Sequence, residues 1–174
     1  KAGFTDLGEA LAQLETVCTL TSADPELILT AIHHSADPDR GLAWLVRLGQ
    51  NPAVATTVKK LLADETASTR LLAVLGGSRG LAEFIERQPH TLAYFSQEPG
   101  LPGDQEKLRS SLLKSVDAQN GFAKVGGDAA RDALRIHYRE LLLKIAMWDL
   151  CHNEPLEQIE WVTGSLSDIA GGAL

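Results

Sequence analysis

The sequence predicts an all-α protein, a multi-helix bundle of about nine helices organised around one long helix at about 129–151. Three observations carry that reading. Apolar residues recur at three- and four-residue spacing along almost the whole chain, the period that lines one face of an α-helix. Alanine and leucine are plentiful while aromatics make up 5% of the residues, a mix that suits helices better than pleated surfaces. Finally, Asp24-Pro25, Asp37-Pro38, Asn51-Pro52 and Glu154-Pro155 each stand just ahead of an apolar-periodic segment. An Asp or Asn oxygen there can accept from an N–H that the helix leaves unpaired, and proline at the first helical position lacks only an N–H that would have had no partner.

Taken in order, the signals place helices at 6–18, 25–35, 38–49, 53–63, 67–75, 79–88, 105–118, 129–151 and 156–170. In the first, Thr16-Val17-Cys18-Thr19-Leu20-Thr21 alternates as a short strand would, but no partner strand is visible, and the run is read as a helix end. Leu71, Leu72, Val74 and Leu75 build an apolar face that stops at Gly76-Gly77, where the left-handed conformation of a helix C-terminus is expected. Ser78 is then placed to cap the next helix, whose Leu81, Phe84 and Ile85 share one side. Between Ser96 and Asp104, two prolines and two glycines with little to bury predict a flexible connection at 96–104. It separates an N-terminal helical subdomain, 1–95, from a C-terminal one, 105–174, built on the long helix. Gly121, Gly126 and Gly127 mark a further break ahead of that helix, whose Leu134, Tyr138, Leu141, Ile145 and Trp148 follow 4-3-4-3 spacing, the seam of a helix packed lengthwise. Past Leu141 it is apolar almost all round, so that half is expected to be covered on several sides.

Sixteen Lys plus Arg against 23 Asp plus Glu give a net charge of −7, and a surface that on average repels phosphate backbones argues against nucleic acid as partner. Lys144, Asp149 and Arg70 interrupt the longest apolar stretches well short of the ~18–20 residues that a membrane span requires. Cys18 and Cys151 make no disulfide framework, and a cytoplasmic location is the default. The chain starts at Lys1 and its one methionine is Met147, which reads as a piece of a longer polypeptide.

Few constellations suggest chemistry. Gly76-Gly77-Ser78-Arg79-Gly80 has the glycines of a phosphate cradle but lacks the Lys-Ser/Thr ending and the preceding strand of a P-loop, so it is read as a helix–cap junction. His33-His34 and Cys151-His152 are adjacent pairs whose side chains diverge by about 100° on a helix, which prevents joint ligation of one ion. Gly164-Ser165-Leu166-Ser167-Asp168 has the Gly-Ser of a polymerase-β-type metal motif with a single carboxylate, on a segment that Ile159, Val162, Leu166 and Ile169 make helical. Arg131, Arg135 and Arg139 recur every four residues and form a basic line along the long helix. Local pairs with Asp128 and Asp132 would account for them; alternatively they form an interdomain or ligand-facing stripe.

Three segments carry a more specific likeness. The run Leu71-Leu72-Ala73-Val74-Leu75-Gly76-Gly77-Ser78-Arg79-Gly80-Leu81, continued by Glu86-Arg87-Gln88-Pro89, resembles the Leu-Gly-x-Ser-x-x-Leu…Arg-x-Pro stretch of bacterial glutamine synthetase adenylyltransferases. The long helix, from Leu134-Arg135-Ile136 through Arg139-Glu140-Leu141-Leu142 to Ile145-Ala146 and Asp149-Leu150, is similar to that family's Leu-Arg…Arg-Glu-Leu-Leu-Arg-Ile-Ala…Asp-Leu helix. Ser167-Asp168-Ile169-Ala170 resembles the Ser-Asp-Leu-Ala that follows it, while Tyr138, Met147 and Trp148 depart from the basic or small residues more usual there. The likeness covers about residues 36–174.

The resemblance implies a parent enzyme that attaches AMP to a tyrosine of glutamine synthetase and removes it by phosphorolysis. Two nucleotidyltransferase domains using ATP and Mg2+ would each be preceded by helices of this kind. Ser35-Ala36-Asp37-Pro38-Asp39 is similar to the start of the first, adenylyl-removing half. The family's Gly-Ser-x-Asp metal motif is not among these residues, so the expectation is a non-catalytic helical segment with no catalytic, metal or cofactor residues of its own. Its expected partners are glutamine synthetase, the parent's nucleotidyltransferase domain and a nitrogen-signal regulatory protein. The alternative is an independent all-helical protein–protein interaction module with no enzymatic activity.

Overall fold

Side-chain oxygens start five of the helices in the computed structural model, which describes residues 3–98, 105–119, 123–124, 126–152 and 154–173. The chain divides into two units, Lys1–Pro99 and Gly100–Leu174. Among the described residues the first contains α1 (Leu7–Thr21), α2 (Pro25–Ile32), α3 (Pro38–Gln50), α4 (Ala55–Leu62), α5 (Glu65–Gly77), α6 (Arg79–Arg87) and a 3-10 helix, Pro89–Ser96. The second contains α7 (Gln105–Ser115), α8 (Gly127–Leu150), a 3-10 turn at Pro155–Gln158 and α9 (Ile159–Gly172). The fold is all-α, as the sequence predicts. Residues 99–104 of the expected connection, and Gly121, lie outside the described residues.

Asp6 accepts from the Gly8 and Glu9 N–H groups at 2.9 and 3.0 Å, Asp24 from Glu26 at 2.9 Å, Asp37 from Arg40 at 3.0 Å and Asp64 from Ala67 at 2.7 Å. Each cap satisfies a donor that the first helical turn cannot pair, a contribution of about 1 kcal/mol. Several helix ends differ from the sequence expectation for identifiable reasons. The threonine run continues α1 to Thr21, with the Thr16 and Thr21 hydroxyls donating to carbonyls one turn back, Ala12 and Val17, each at 2.7 Å. Ser22 at φ 54° ends it. His33, His34 and Ser35 leave α2 in a tighter turn, their N–H groups bonding three residues back. Asn51 accepts from Ala53 at 3.0 Å and holds Pro52 in a turn, so α4 begins only at Ala55. Asp117 at φ 49° lies in the left-handed region and keeps α7 from continuing past Ser115 to 118.

In the first unit α5 is the central element. It packs against α2, α3, α4, α6 and the 3-10 helix, and Leu71, Leu72, Ala73, Val74 and Leu75 are all at most 1% exposed. At about 1.5–3 kcal/mol for each buried aliphatic side chain, this helix supplies a large share of the unit's apolar stabilisation. The left-handed glycines expected at its end are not found: Gly76 and Gly77 are both helical. Gly76 is needed for close approach instead, since a Cβ there would stand 1.7 Å from Ser35 Oγ and 2.6 Å from the Asp37 carbonyl oxygen. Ser78 does cap α6, accepting from Leu81 N–H at 3.3 Å.

Phe4, Leu7, Ala10, Leu11, Leu14, Leu29 and Leu42 of the same unit line an apolar groove, with Leu7 69% and Leu11 60% exposed.

In the second unit α8 plays the organising part. Its 24 residues span about 36 Å, and Leu141 and Ile145 close a core with Leu108 and Leu112 of α7 and Ile169 of α9. Leu134 and Tyr138 pack on that core half-buried, and Trp148 lies against Trp161 with ring centroids 5.4 Å apart, so the expected seam is the one used. Leu143 and Met147 are also buried, at 0% and 1% exposure, which matches an end that is apolar on more than one side.

Candidate functional site on the second unit

Leu108 and Leu112 are one turn apart, and burying both fixes the rotation of α7. That rotation brings Ser111, on the neighbouring line of the helix, against His137 of α8. Ser111 Oγ and His137 Nε2 are 2.5 Å apart, and His137 Nδ1 is 3.1 Å from Glu140 Oε2. A carboxylate only accepts, so Nδ1 carries the hydrogen that Glu140 receives, and in the neutral ring Nε2 accepts from the Ser111 hydroxyl. The two side chains on α8 are well sheltered, His137 being 25% and Glu140 14% exposed. Lys107, Ser110, Ser111, Lys114, Ser115 and His137 line an open cavity at this point. Sequence reasoning missed this cluster. His137 and Glu140 are legible as neighbours three residues apart on a helix, whereas Ser111 joins them only through the register of α7 on α8.

The basic line is present on the same helix. Arg131, Arg135 and Arg139 are all exposed; Arg131 pairs with Asp128, and Arg135 donates to Asp132 at 3.4 Å. Pairs this open are worth only a few tenths of a kcal/mol.

Other candidates are placed apart from this cluster. Gly76–Gly80 runs through two helices joined at Ser78, with the Gly76 carbonyl accepting from Arg40 at 3.0 Å, and makes no cradle. His33 and His34 are exposed after α2, Cys151 and His152 follow α8, and Asp168 lies within α9. No group of three or more His, Cys, Asp or Glu is placed to hold a metal ion among the described residues.

Cys18 is perturbed for a local reason: burial pushes its thiol above the usual range, and the nearby Asp24 carboxylate adds to the effect. A raised thiol has less thiolate, the reactive form, at a given pH. At pH 8 iodoacetamide is therefore expected to alkylate Cys18 more slowly in the folded chain than in urea. Asp24→Asn, which keeps a capping oxygen, should restore part of the rate. Equal folded and unfolded rates by mass spectrometry would contradict the assignment.

No family model matches the chain, and no solved structure matches it. Two helical units closed around leucine-rich seams define the class as an all-α helical-bundle protein. Along its length the chain is 38% identical over 175 residues to the bifunctional glutamine synthetase adenylyltransferase/adenylyl-removing enzyme of Leifsonia xyli subsp. xyli, covering 100% of the chain and 17% of that protein. It is 31% identical over 179 residues to the protein of the same name from Cutibacterium acnes, covering 99% and 18%, and 33% identical over 179 residues to that of Streptomyces avermitilis, covering 99% and 16%. The chain belongs, as a segment, to the family of bifunctional glutamine synthetase adenylyltransferase/adenylyl-removing enzymes; it spans less than a fifth of the length of these relatives.

Proposed function

We propose that the chain is a non-catalytic helical segment of a cytoplasmic enzyme that adds AMP to, and removes it from, a tyrosine of glutamine synthetase in the control of nitrogen assimilation. The observation that carries this reading is the likeness of nearly the whole chain to part of the bifunctional enzymes. The physical character of the segment supports it. Two units with apolar cores supply rigid helices, and the open groove at Leu7 and Leu11 is the kind of surface that further protein covers. ATP and Mg2+ act in the parent's nucleotidyltransferase domain, and a nitrogen-signal regulatory protein is a further partner of the whole enzyme. No helix of the described residues is long and apolar enough to cross a membrane.

In this reading Arg131, Arg135 and Arg139 face that domain or its ligands. A guanidinium makes paired hydrogen bonds to carboxylate or phosphate that an ammonium does not reproduce. In the full-length parent, Arg135→Lys together with Arg139→Lys is expected to lower both AMP transfer and AMP removal at least tenfold while leaving the thermal midpoint unchanged. Unchanged activity would leave the arginines as solvated ion pairs, and metal-dependent transfer by the purified 174-residue chain alone would overturn the non-catalytic reading.

A further inference from the structure

We propose that the cavity bounded by α7 and α8 is a binding site for a small oxyanion of the phosphate class. The lining is the argument. Among the described residues the lining is Lys107, Ser110, Ser111, Lys114, Ser115 and His137, side chains that carry hydrogen-bond donors and no carboxylate, although the chain as a whole carries a net charge of −7. A phosphate or sulfate oxygen only accepts, so a wall made of donors around two ammonium groups is complementary to it and to few other ligands.

The placement along α7 is specific. Lys107 is four residues before Ser111 and Lys114 three after it, so the two lysines stand one turn to either side of the hydroxyl on a shared face. Elsewhere, Lys59 and Lys60 are also exposed near one another on α4, but they are consecutive and diverge around the helix. Their contrast with Lys107 and Lys114 separates a built cavity from ordinary surface lysines.

His137 and Glu140 set what Ser111 can offer. Glu140 takes the Nδ1 hydrogen at 3.1 Å and thereby holds the ring with Nε2 toward Ser111. The charged groups around the imidazole are Glu140 on its own helix and Lys107 and Lys114 on the cavity wall. Ser111 Oγ, held against the ring, also borders the cavity, so a bound oxyanion competes with His137 Nε2 for its hydroxyl hydrogen. Ser115 is a lesser contributor, its hydroxyl donating to the Leu112 carbonyl at 2.6 Å.

Titration of the full 174-residue chain with sodium sulfate and with inorganic phosphate, followed by amide NMR shifts at constant ionic strength, tests the site. The expected result is saturable shifts with a millimolar Kd, concentrated at residues 107–115 and 137–140. Lys107→Ala with Lys114→Ala should raise that Kd at least tenfold, and so should Ser111→Ala, which alters no charge. The exposed lysine variants also report on folding, since their own thermal midpoint should stay close to the parent value. Glycerol phosphate titrated in parallel distinguishes a free ion from a phosphate carried on a larger molecule, and saturable binding of either supports the proposal. Shifts that rise without saturating, that appear equally around Lys59 and Lys60, or that persist unchanged in the variants would overturn it.

Discussion

Gly76→Ala is expected to destabilise the first unit by about 3 kcal/mol, at the upper end of what overpacking a closed interior costs. The added methyl would lie 1.7 Å from Ser35 Oγ and 2.6 Å from the Asp37 carbonyl oxygen. Neither can simply move aside. Ser35 Oγ donates to that same carbonyl at 3.1 Å, Asp37 caps α3 through the Arg40 N–H at 3.0 Å, and the Arg40 guanidinium donates to the Gly76 carbonyl at 3.0 Å. Relief of the clash therefore separates α5 from the start of α3 and breaks bonds that both helices share. Alanine is the better helix former by about 1 kcal/mol, so the steric effect has to exceed a gain in propensity to show at all. Gly80→Ala is the control, because a Cβ at Gly80 meets nothing within 4 Å, and it should be neutral or slightly stabilising. Urea unfolding followed by circular dichroism measures both; a Gly76→Ala midpoint equal to that of Gly80→Ala would rule out the close approach.

The same glycine shows where sequence reasoning stops. Helix existence was legible wherever apolar spacing and an Asp-Pro or Ser cap coincided, as at Asp24, Asp37 and Ser78, because both signals are local and act through the chain's own backbone. Gly76 was misread since a glycine after Val74 and Leu75 is equally consistent with a left-handed helix end and with a helix that another backbone approaches. Only the contact with Ser35 and Asp37 decides between them. Pro89–Ser96 went unassigned as helix because a 3-10 turn lacks the 3.6 period and here is held by tertiary bonds. On the candidate site, the arginine line was readable from its four-residue spacing, whereas the Ser111–His137 pair spans 26 residues and two helices. Its discovery depends on the way Leu108 and Leu112 seat α7 on α8, a matter of packing that no local pattern encodes.

Phe95→Ala is expected to cost about 3–5 kcal/mol, the range for emptying a fully buried aromatic site. Phe95 is 0% exposed although it stands in the 3-10 helix Pro89–Ser96, near the end of its unit. Its segment packs on α4, α5 and α6, so the ring fills space that three helices leave, together with Leu92 at 0% exposure. Arg70 of α5, only 12% exposed, donates to the Gln97 carbonyl at 2.8 Å and pairs with Glu98 at 3.3 Å. These bonds hold the backbone in place after the ring is removed, and the surroundings cannot collapse fully into the cavity. A domain has about 5–15 kcal/mol of stability in all, so the loss should be plain in a denaturation curve. With a urea slope of about 2 kcal/mol/M, the midpoint of the first unit should fall by roughly 1.5–2.5 M. Phe95→Leu keeps most of the volume and should lose no more than about 1.5 kcal/mol. Amide exchange distinguishes the alternative in which the segment detaches by itself: protection lost only at residues 89–98, with the midpoint unchanged, would show that Phe95 holds a flap and not the core around α5.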